Sequence, residues 1–204
     1  MRKQKLSARF EAALVYAARL HARQTRKGKT TPYIAHLLGV ASIVLDHGGD
    51  EGQAIAALLH DAAEDQGGRP RLAGIRRKFG PRVARMVDGC TDTYENPKPS
   101  WLERKKGYLK HLRRARADVR LVSAADKLHN AREILAYARA ARGGRRAGLW
   151  YRFRGGKEGT LWYYRALAEE FRARGPKRIA AELWRVVAEL YRLTKRGSVS
   201  RGMG

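Results

Sequence analysis

The stretch AIAALLHDAAED, residues 54–65, decides the fold. Its first six residues are small or apolar on every side, and a helix of that kind is buried among other helices. The apolar run ends at His60-Asp61, and the acids Glu64 and Asp65 follow one helical turn later. We therefore predict a central helix near 50–65 whose last turns carry an imidazole and three carboxylates beside the core.

Helical periodicity recurs along the rest of the chain, with apolar residues at spacings of three and four. Breaks rich in Gly and Pro separate the segments, as at Gly80-Pro81. No strand pair and no internal repeat is evident, so the predicted fold is all-α, an irregular bundle of about 8–10 helices. Further helices are predicted near 7–24, 33–47, 70–79, 81–92, 100–114, 119–137, 158–174 and 176–194.

We predict one domain over residues 1–194 and a polar, disordered tail over 195–204. A Gly- and Arg-rich connection near 142–157 is predicted to be mobile. Hydrophobic residues make up 44% of the 204 residues, which excludes a disordered chain. No apolar run approaches the roughly 18–20 residues of a membrane span. The single cysteine, Cys90, permits no internal disulfide, so we expect a cytoplasmic protein.

A formal net charge of +25 is the most unusual property of the composition. Such an excess attracts polyanions, including phosphorylated small molecules, nucleic acids and membrane headgroups. The basic residues are spread along the chain and match no nucleic-acid-binding module, which disfavours nucleic acid and membrane partners. Two interpretations stay open: the charge attracts a polyphosphorylated substrate, or it is a solvated surface that reflects composition bias. The sequence also leaves the choice between a monomer and a homodimer open.

Histidines and acids that are scattered in sequence form a chemically matched set in apolar helical surroundings, where an unpaired acid would be costly. Two imidazoles and two carboxylates suit a divalent ion such as Mn²⁺, Fe²⁺ or Zn²⁺. If the helix near 119–137 packs against the helix near 50–65, both present acids to a shared crevice. The predicted metal ligands are His36, His60, Asp61 and Asp126.

A bound divalent ion would lower the pKa of a coordinated water and make hydroxide available near neutrality. Glu64 and Asp65 could exchange a proton with that water, and Asn130, one turn after Asp126, could orient it or a phosphate oxygen. Each residue alone has a structural interpretation, such as a core histidine or a helix-end carboxylate. The combination indicates a metal-dependent hydrolase. Three further histidines have no partners at ligand spacing and stay outside the predicted site: His47, His111 and His129.

A series of short motifs runs through the chain: Arg26-Lys27, Thr31-Pro32-Tyr33-Ile34-Ala35-His36, the segment 58–65, Phe79-Gly80, Thr91-Asp92, Leu102-Glu103-Arg104-Lys105 and Ala125-Asp126-Lys127-Leu128-His129-Asn130. The series resembles HD-domain phosphohydrolases, and within them the hydrolase domain of Rel/Spo alarmone enzymes and their stand-alone relatives, the small alarmone hydrolases. The resemblance is strong over about residues 8–137 and weaker beyond. No synthetase half follows, so we expect the small, single-function form.

The resemblance implies an HD-domain helical bundle that hydrolyses the 3′-pyrophosphate of ppGpp and pppGpp, releasing pyrophosphate and GDP or GTP. It implies one divalent metal ion on the four predicted ligands, usually Mn²⁺, with Fe²⁺, Co²⁺ or Zn²⁺ as alternatives. On the family pattern, Glu64 and Asp65 activate the attacking water beside Asn130. Arg26 and Lys27 match the basic pair at the base and its phosphates. A more loosely matched stretch offers Lys157 and the pair Tyr163-Tyr164 to the distal phosphates.

Two alternatives stay open at this point. The same fold and metal could act on an adenosine alarmone such as pppApp, on NADPH or on another nucleotide. The protein could instead be a non-catalytic basic module that binds RNA or another protein. The presence of all four ligands together with the acidic pair Glu64-Asp65 favours a hydrolase of guanosine alarmones.

Overall fold

The computed structural model describes residues 5–140 and 149–199 and consists of helices joined by loops. Residues 141–148, which include the first part of the connection near 142–157 that is predicted to be mobile, lie outside these ranges. The described ranges contain no β-strand, so the all-α prediction is confirmed. The elements are α1 (Ala8–Leu20), α2 (Ile34–Asp46), α3 (Glu51–Leu59), α4 (Ala62–Asp65), α5 (Gly68–Cys90), α6 (Trp101–Arg114), α7 (Ala117–Ala140), a 3-10 helix (Leu149–Arg152), α8 (Gly156–Arg174) and α9 (Lys177–Val199).

Helix α3 lies at the centre of the bundle, as its apolar sequence predicts. Every side chain from Ala54 to Leu59 is fully buried, and α3 packs against α1, α2, α5 and α7. Burying one large aliphatic side chain stabilises the fold by about 1.5–3 kcal/mol. A capping box begins the helix: the Asp50 side chain accepts from the Gln53 amide, and the Gln53 side chain accepts from the Asp50 amide. The end of α3 is therefore a rigid base for the residues that follow.

The prediction of one continuous helix near 50–65 is wrong. Helix α3 ends at Leu59, α4 begins at Ala62, and His60 and Asp61 lie in the turn between them. Nδ1 of His60 hydrogen-bonds the Ala57 carbonyl oxygen at 2.8 Å. A continuous helix would pair that carbonyl with the backbone amide four residues later, so the side chain competes with the helix at this point.

The predicted break at Gly80-Pro81 is confirmed as a kink within α5. Gly80 has a φ of +85°, a backbone conformation that residues other than glycine rarely adopt. Pro81 has no amide hydrogen to donate and disfavours a helical conformation of the residue before it. The predicted segments 70–79 and 81–92 thus form one kinked element that ends at Cys90.

Helix α9 continues to Val199, beyond its predicted end near 194. The segment 195–204, predicted as a disordered tail, therefore begins within a helix, and its last five residues lie outside the described ranges. Helices α7 and α8 pack along α9, so the C-terminal part of the bundle supports the helix that carries Asp126. Among the helices described, none combines the length and apolar character needed to cross a lipid bilayer.

Candidate metal centre and adjoining cavity

Three parts of the bundle bring two histidines and an acid together. His36 lies in the first turn of α2, His60 directly follows α3, and Asp126 lies near the middle of α7. One potential ligand atom from each residue lies within 4.8 Å of the others. His36 Nε2 is 3.3 Å and His60 Nε2 is 3.6 Å from Asp126 Oδ1. All three side chains are buried, so helix packing builds a compact set of nitrogen and oxygen donors.

Asp61 adds a second carboxylate to this group from the turn between α3 and α4. Its Oδ2 lies 3.0 Å from His60 Nε2 and 3.7 Å from His36 Nε2. The Tyr33 hydroxyl donates a hydrogen bond to the same oxygen. The Asp61 side chain is 23% exposed, more than the other three. The structure therefore places all four predicted ligands next to one another, which we call the metal group (His36, His60, Asp61 and Asp126).

The imidazole nitrogens of the metal group fit a divalent ion. Nε2 of His36 and Nε2 of His60 are buried, and neither has a hydrogen-bond partner in the described part of the chain. Because the Ala57 carbonyl oxygen only accepts, His60 Nδ1 carries the proton in this contact, and the neutral ring has its lone pair on Nε2. Two imidazole nitrogens beside carboxylate oxygens in a buried setting are a donor set for a divalent ion of the Mn²⁺ to Zn²⁺ series.

Neighbouring residues of α7 keep Asp126 ionised. Burial alone would raise the pKa of its carboxyl group, but the Lys127 ammonium and the two histidines outweigh burial and hold that pKa well below its usual range. Lys127 Nζ donates a hydrogen bond to Asp126 Oδ2, and Asn130 Nδ2 donates one to Asp126 Oδ1; both donor–acceptor distances are 2.5 Å. Lys127 thus occupies one carboxylate oxygen while the other faces the histidines.

His129 contacts the metal group, although its spacing in the sequence predicts no such role. Its Nδ1 lies 3.0 Å from His36 Nδ1. When His36 carries the proton between these atoms, the lone pair on its Nε2 is directed at the acids. A Cβ at Gly39 would lie 2.3 Å from His129 Nε2, so the glycine makes room for the ring. The contact joins α2 to α7. The one feature of the sequence that indicates it is Gly39, one turn after His36, where a residue without a side chain leaves room for the His129 ring.

Replacing His129 with Leu is expected to weaken divalent metal binding by about 10- to 100-fold, because His36 loses the acceptor that fixes its tautomer. His129→Asn offers an amide oxygen near the position of Nδ1 and should recover most of the affinity. Calorimetric titration of both variants with Mn²⁺ measures the dissociation constants. Equal affinity for the wild type and a folded His129→Leu protein would mean that His129 only fills space.

A cavity of about 580 Å³ opens beside the metal group. Tyr33 and Asn130 connect the two, because Tyr33 bonds Asp61, Asn130 bonds Asp126, and both line the cavity. Its wall combines aromatic, cationic and acidic side chains, which suits a charged ligand with a planar part. Four predicted site residues line it: Arg26, Lys27, Asp65 and Asn130.

The loop that carries Arg26 is pinned by an isolated β-bridge between Thr25 and Pro32. The Arg26 guanidinium donates to Asn130 Oδ1 at 2.6 Å. Its Cζ lies 5.5 Å from the centroid of the Tyr33 ring, which is within cation–π range. Arg26 therefore contacts both residues that connect the cavity to the metal group.

Glu133 is a second residue that the sequence analysis missed. Its carboxylate accepts hydrogen bonds from both Arg26 and Lys29. Burial alone would raise the pKa of this carboxyl group, but the two cations lower it to about 2, so the group is ionised. Spacings of four, three and four along α7 place it on one face that runs from the metal group along the cavity: Asp126, Asn130, Glu133 and Tyr137.

The acidic pair occupies two environments, whereas the sequence predicts a shared role. Asp65 lines the cavity, and its Oδ2 accepts a hydrogen bond from Gln24 Nε2 at 2.8 Å. Burial, followed by the charge of nearby acids, raises the pKa of Asp65. Glu64 instead accepts from the Asp92 amide and from Lys98 Nζ, each at 3.0 Å, and is not part of the cavity wall described above.

Of the predicted distal-phosphate contacts, Lys157 and Tyr163 lie outside the cavity wall. Lys157 Nζ is 3.4 Å from the Thr194 carbonyl oxygen on α9. Tyr163 is buried, and Lys105 Nζ lies 5.1 Å from its ring centroid. Tyr164, the second residue of the predicted tyrosine pair, lines the cavity, since successive residues of a helix point about 100° apart. A contact of Lys157 or Tyr163 with the distal phosphates stays a prediction.

Comparison with known proteins gives one family and a consistent set of relatives. Residues 13–149 match the sequence model of the HD domain family. Over 132 residues the chain is 39% identical to guanosine-3′,5′-bis(diphosphate) 3′-pyrophosphohydrolase MESH1 of Xenopus tropicalis, which covers 61% of this chain and 71% of the relative. The protein of the same name from Homo sapiens is 37% identical over 131 residues, covering 63% of this chain and 70% of the relative.

Solved structures share the arrangement of the helices. A metazoan ortholog of SpoT, described as hydrolyzing ppGpp, superposes with a TM-score of 0.75 at 26% identity, over 92% of this chain and 98% of its own. The protein lmo0812 of Listeria monocytogenes superposes with a TM-score of 0.64 at 29% identity, over 77% of this chain and 99% of its own. Both matches extend over most of the bundle that positions the metal group.

Proposed function

This chain belongs to the HD-domain family, and from that premise we propose that it hydrolyses the 3′-pyrophosphate of guanosine alarmones, converting ppGpp to GDP and pppGpp to GTP with release of pyrophosphate. One observation carries the proposal: the metal group adjoins a cationic cavity, and two residues of the cavity wall, Tyr33 and Asn130, hydrogen-bond its acids. The names of the relatives and the likeness to a ppGpp-hydrolyzing ortholog support it.

We place one divalent ion on the metal group and propose that it is Mn²⁺, with Fe²⁺, Co²⁺ and Zn²⁺ as ions that suit the same donors. When bound, such an ion lowers the pKa of water and polarises a phosphoryl oxygen. The protein orients the two imidazole donors by hydrogen-bonding the Nδ1 atom of each ring. His60 Nδ1 contacts the Ala57 carbonyl oxygen, and His36 Nδ1 contacts His129.

We assign Asp65 the role of general base, which accepts a proton from the attacking water. Its carboxylate lines the cavity and is held by Gln24, which is itself fixed by hydrogen bonds with His21 and Gln66. Such a chain restricts the carboxylate to one orientation and so favours proton transfer in a defined direction. Asn130 orients the water or a phosphate oxygen. Glu64 has a supporting role through its contact with Lys98.

We propose that Arg26 and Lys27 bind the phosphates and the base of the substrate. A guanidinium can stack on a purine and can also donate two parallel hydrogen bonds to phosphate oxygens. The position of Arg26 beside Tyr33 and Asn130 supports such a role next to the reacting phosphate. Lys27 lines the same wall and adds a second positive charge.

Product analysis after incubation with Mn²⁺ tests the proposal, with ppGpp, pppGpp, their adenosine counterparts and NADPH in separate tubes. We expect release of pyrophosphate from the guanosine compounds and its loss when a chelator is added. Cleavage of pppApp or NADPH without cleavage of ppGpp would retain the metal chemistry and reassign the substrate. Metal binding without turnover in any tube would favour a non-catalytic binding module.

A further inference from the structure

We propose that Arg71 is a positioning residue, which fixes the orientation of the Asp65 carboxylate although Arg71 itself lies outside the cavity wall. It acts through a chain of hydrogen bonds over two glutamines, Gln66 and Gln24. This role rests on the proposed function, because it requires Asp65 to be the general base. Neither Arg71 nor Gln66 belongs to the motifs that carry the family resemblance.

Asp65 lies in a segment that has little rigidity of its own. It is the last residue of α4, which is a single turn of four residues, and so short a helix is not stable by itself. Gly67 and Gly68 follow with φ angles of +125° and +61°, and glycine leaves the backbone free to rotate. The orientation of the Asp65 carboxylate therefore depends on contacts from outside this segment.

Arg71 reaches back across the two glycines from the first turns of α5. Its Nε donates a hydrogen bond to the Gln66 carbonyl oxygen at 2.9 Å. The Gln66 amide donates to the Ala62 carbonyl oxygen at 3.1 Å, so both backbone polar groups of Gln66 are held. The side chain of Gln66 then donates through Nε2 to Gln24 Oε1 at 2.8 Å. Arg71 thus fixes the residue that supports the glutamine in contact with Asp65.

The amide of Gln24 is oriented by two donors. Its Oε1 accepts from Gln66 and also lies 2.6 Å from His21 Nδ1, which carries the proton in that contact. An amide oxygen that accepts twice leaves the NH2 group to face the Asp65 carboxylate, to which it donates at 2.8 Å. Without the bond from Gln66, His21 is the one remaining donor, and the amide can tilt. The orientation of Asp65 therefore depends in part on Arg71.

Arg71 is itself anchored on α1, on the far side from the cavity. Its Nη1 donates to the Tyr16 hydroxyl at 3.0 Å, and the Tyr16 ring meets the buried Phe79 ring edge to face, with centroids 5.6 Å apart. A planar guanidinium can donate in two directions at once, which an ammonium does less well. Arg71 and Tyr16 line an open groove of about 650 Å³ between α1 and α5, which shares no lining residue with the cavity. Arg71 therefore affects the reaction through Gln66 and not by touching the substrate.

Arg71→Ala and Arg19→Ala form a matched pair for the kinetic test. Arg19 is exposed and lines the same groove, and within the described part of the chain its side chain forms no hydrogen bond or ion pair. For Arg71→Ala we expect kcat for ppGpp to fall about fivefold, with KM changed by less than about twofold and wild-type metal content. Arg19→Ala should behave as wild type. Equal losses of kcat in the two variants, or a higher KM at unchanged kcat in Arg71→Ala, would overturn the role.

A double-mutant cycle tests the path through Gln66. Gln66→Ala removes the bond to Gln24 directly, so it should lower kcat about as much as Arg71→Ala does. Because both changes break the same chain, Arg71→Ala in the Gln66→Ala background should cause almost no further loss. Losses that multiply in the double variant would show that Arg71 acts independently of Gln66, which contradicts the proposed path.

Nuclear magnetic resonance of the Gln24 side-chain amide gives a measurement that does not require turnover. We expect Arg71→Ala to shift this signal and Arg19→Ala to leave it in place. A shifted signal in a protein whose wild type cannot cleave ppGpp would keep the connection from Arg71 to Gln24 and remove the proposed function. Cleavage of ppGpp by the wild type, with signal and kcat both unchanged in Arg71→Ala, would keep the function and remove the positioning role.

Discussion

Asp65→Asn is expected to lower kcat for ppGpp by about 10³-fold and to leave the metal content of the protein unchanged. The amide retains the shape of the side chain and an oxygen that accepts from Gln24 Nε2, now 2.8 Å from the carboxylate, but it cannot take a proton. Asp65 lies outside the metal group, so plasma mass spectrometry should find the wild-type metal stoichiometry. A metal-free Asp65→Asn protein would contradict the role assigned to this residue.

Glu64→Gln is the matched control, because it removes the same charge one residue away. Glu64 accepts from the Asp92 amide and from Lys98 rather than lining the cavity, so a loss of about tenfold or less in kcat is expected. The difference in kcat between the two variants tests whether Asp65, and not Glu64, accepts the proton. A loss as large as that of Asp65→Asn would place Glu64 in the reaction as well.

Local pattern was sufficient to predict the centre of the fold. The apolar residues of α3 have no polar side to expose, so that helix had to be surrounded, and His60 had to emerge next to the core. An acid on α7 within an apolar helix required partners, which the histidines supply. These inferences depend on spacing within one helix, and such spacing is visible in a sequence.

The placement of a side chain relative to a helix end was harder to predict. The turn at His60-Asp61 depends on a hydrogen bond from the His60 ring to its own helix, which periodicity does not reveal. Of the predicted pair Tyr163-Tyr164, the first residue lies in the core and the second in the cavity wall, and the sequence alone does not tell them apart. A shift of a single position therefore moves a predicted contact to another face.

Contacts between distant segments were beyond the sequence analysis. His129 meets His36 across two helices, and Glu133 meets Arg26 across 107 residues. The spacing along α7 does contain Glu133 and Tyr137, but a helical face identifies a site only when its neighbours are known. Four of the 44 Lys and Arg line the described cavity, so attraction of substrate into the cavity accounts for a small part of the basic composition.

Asp126→Asn is expected to remove the metal ion, abolish hydrolysis and destabilise the fold. The carboxylate has two roles: Oδ1, beside both histidines, is the proposed donor to the metal ion, and Oδ2 accepts a hydrogen bond from Lys127 at 2.5 Å. The Lys127 side chain is only 15% exposed, so the variant leaves a buried charge without its partner. Breaking such a pair costs about 3–5 kcal/mol in the free energy of unfolding.

The double variant Asp126→Asn/Lys127→Met separates the two functions of that carboxylate. Removing both charges should recover most of the stability, measured by urea denaturation in metal-free buffer, while metal binding and turnover stay lost. A double variant as unstable as the single one would trace the loss to packing rather than to the unpaired lysine. Wild-type metal affinity in Asp126→Asn would exclude Asp126 as a ligand. The expected outcome has a physical basis: folding requires a partner for Lys127, hydrolysis requires a donor for the metal, and one buried carboxylate supplies both.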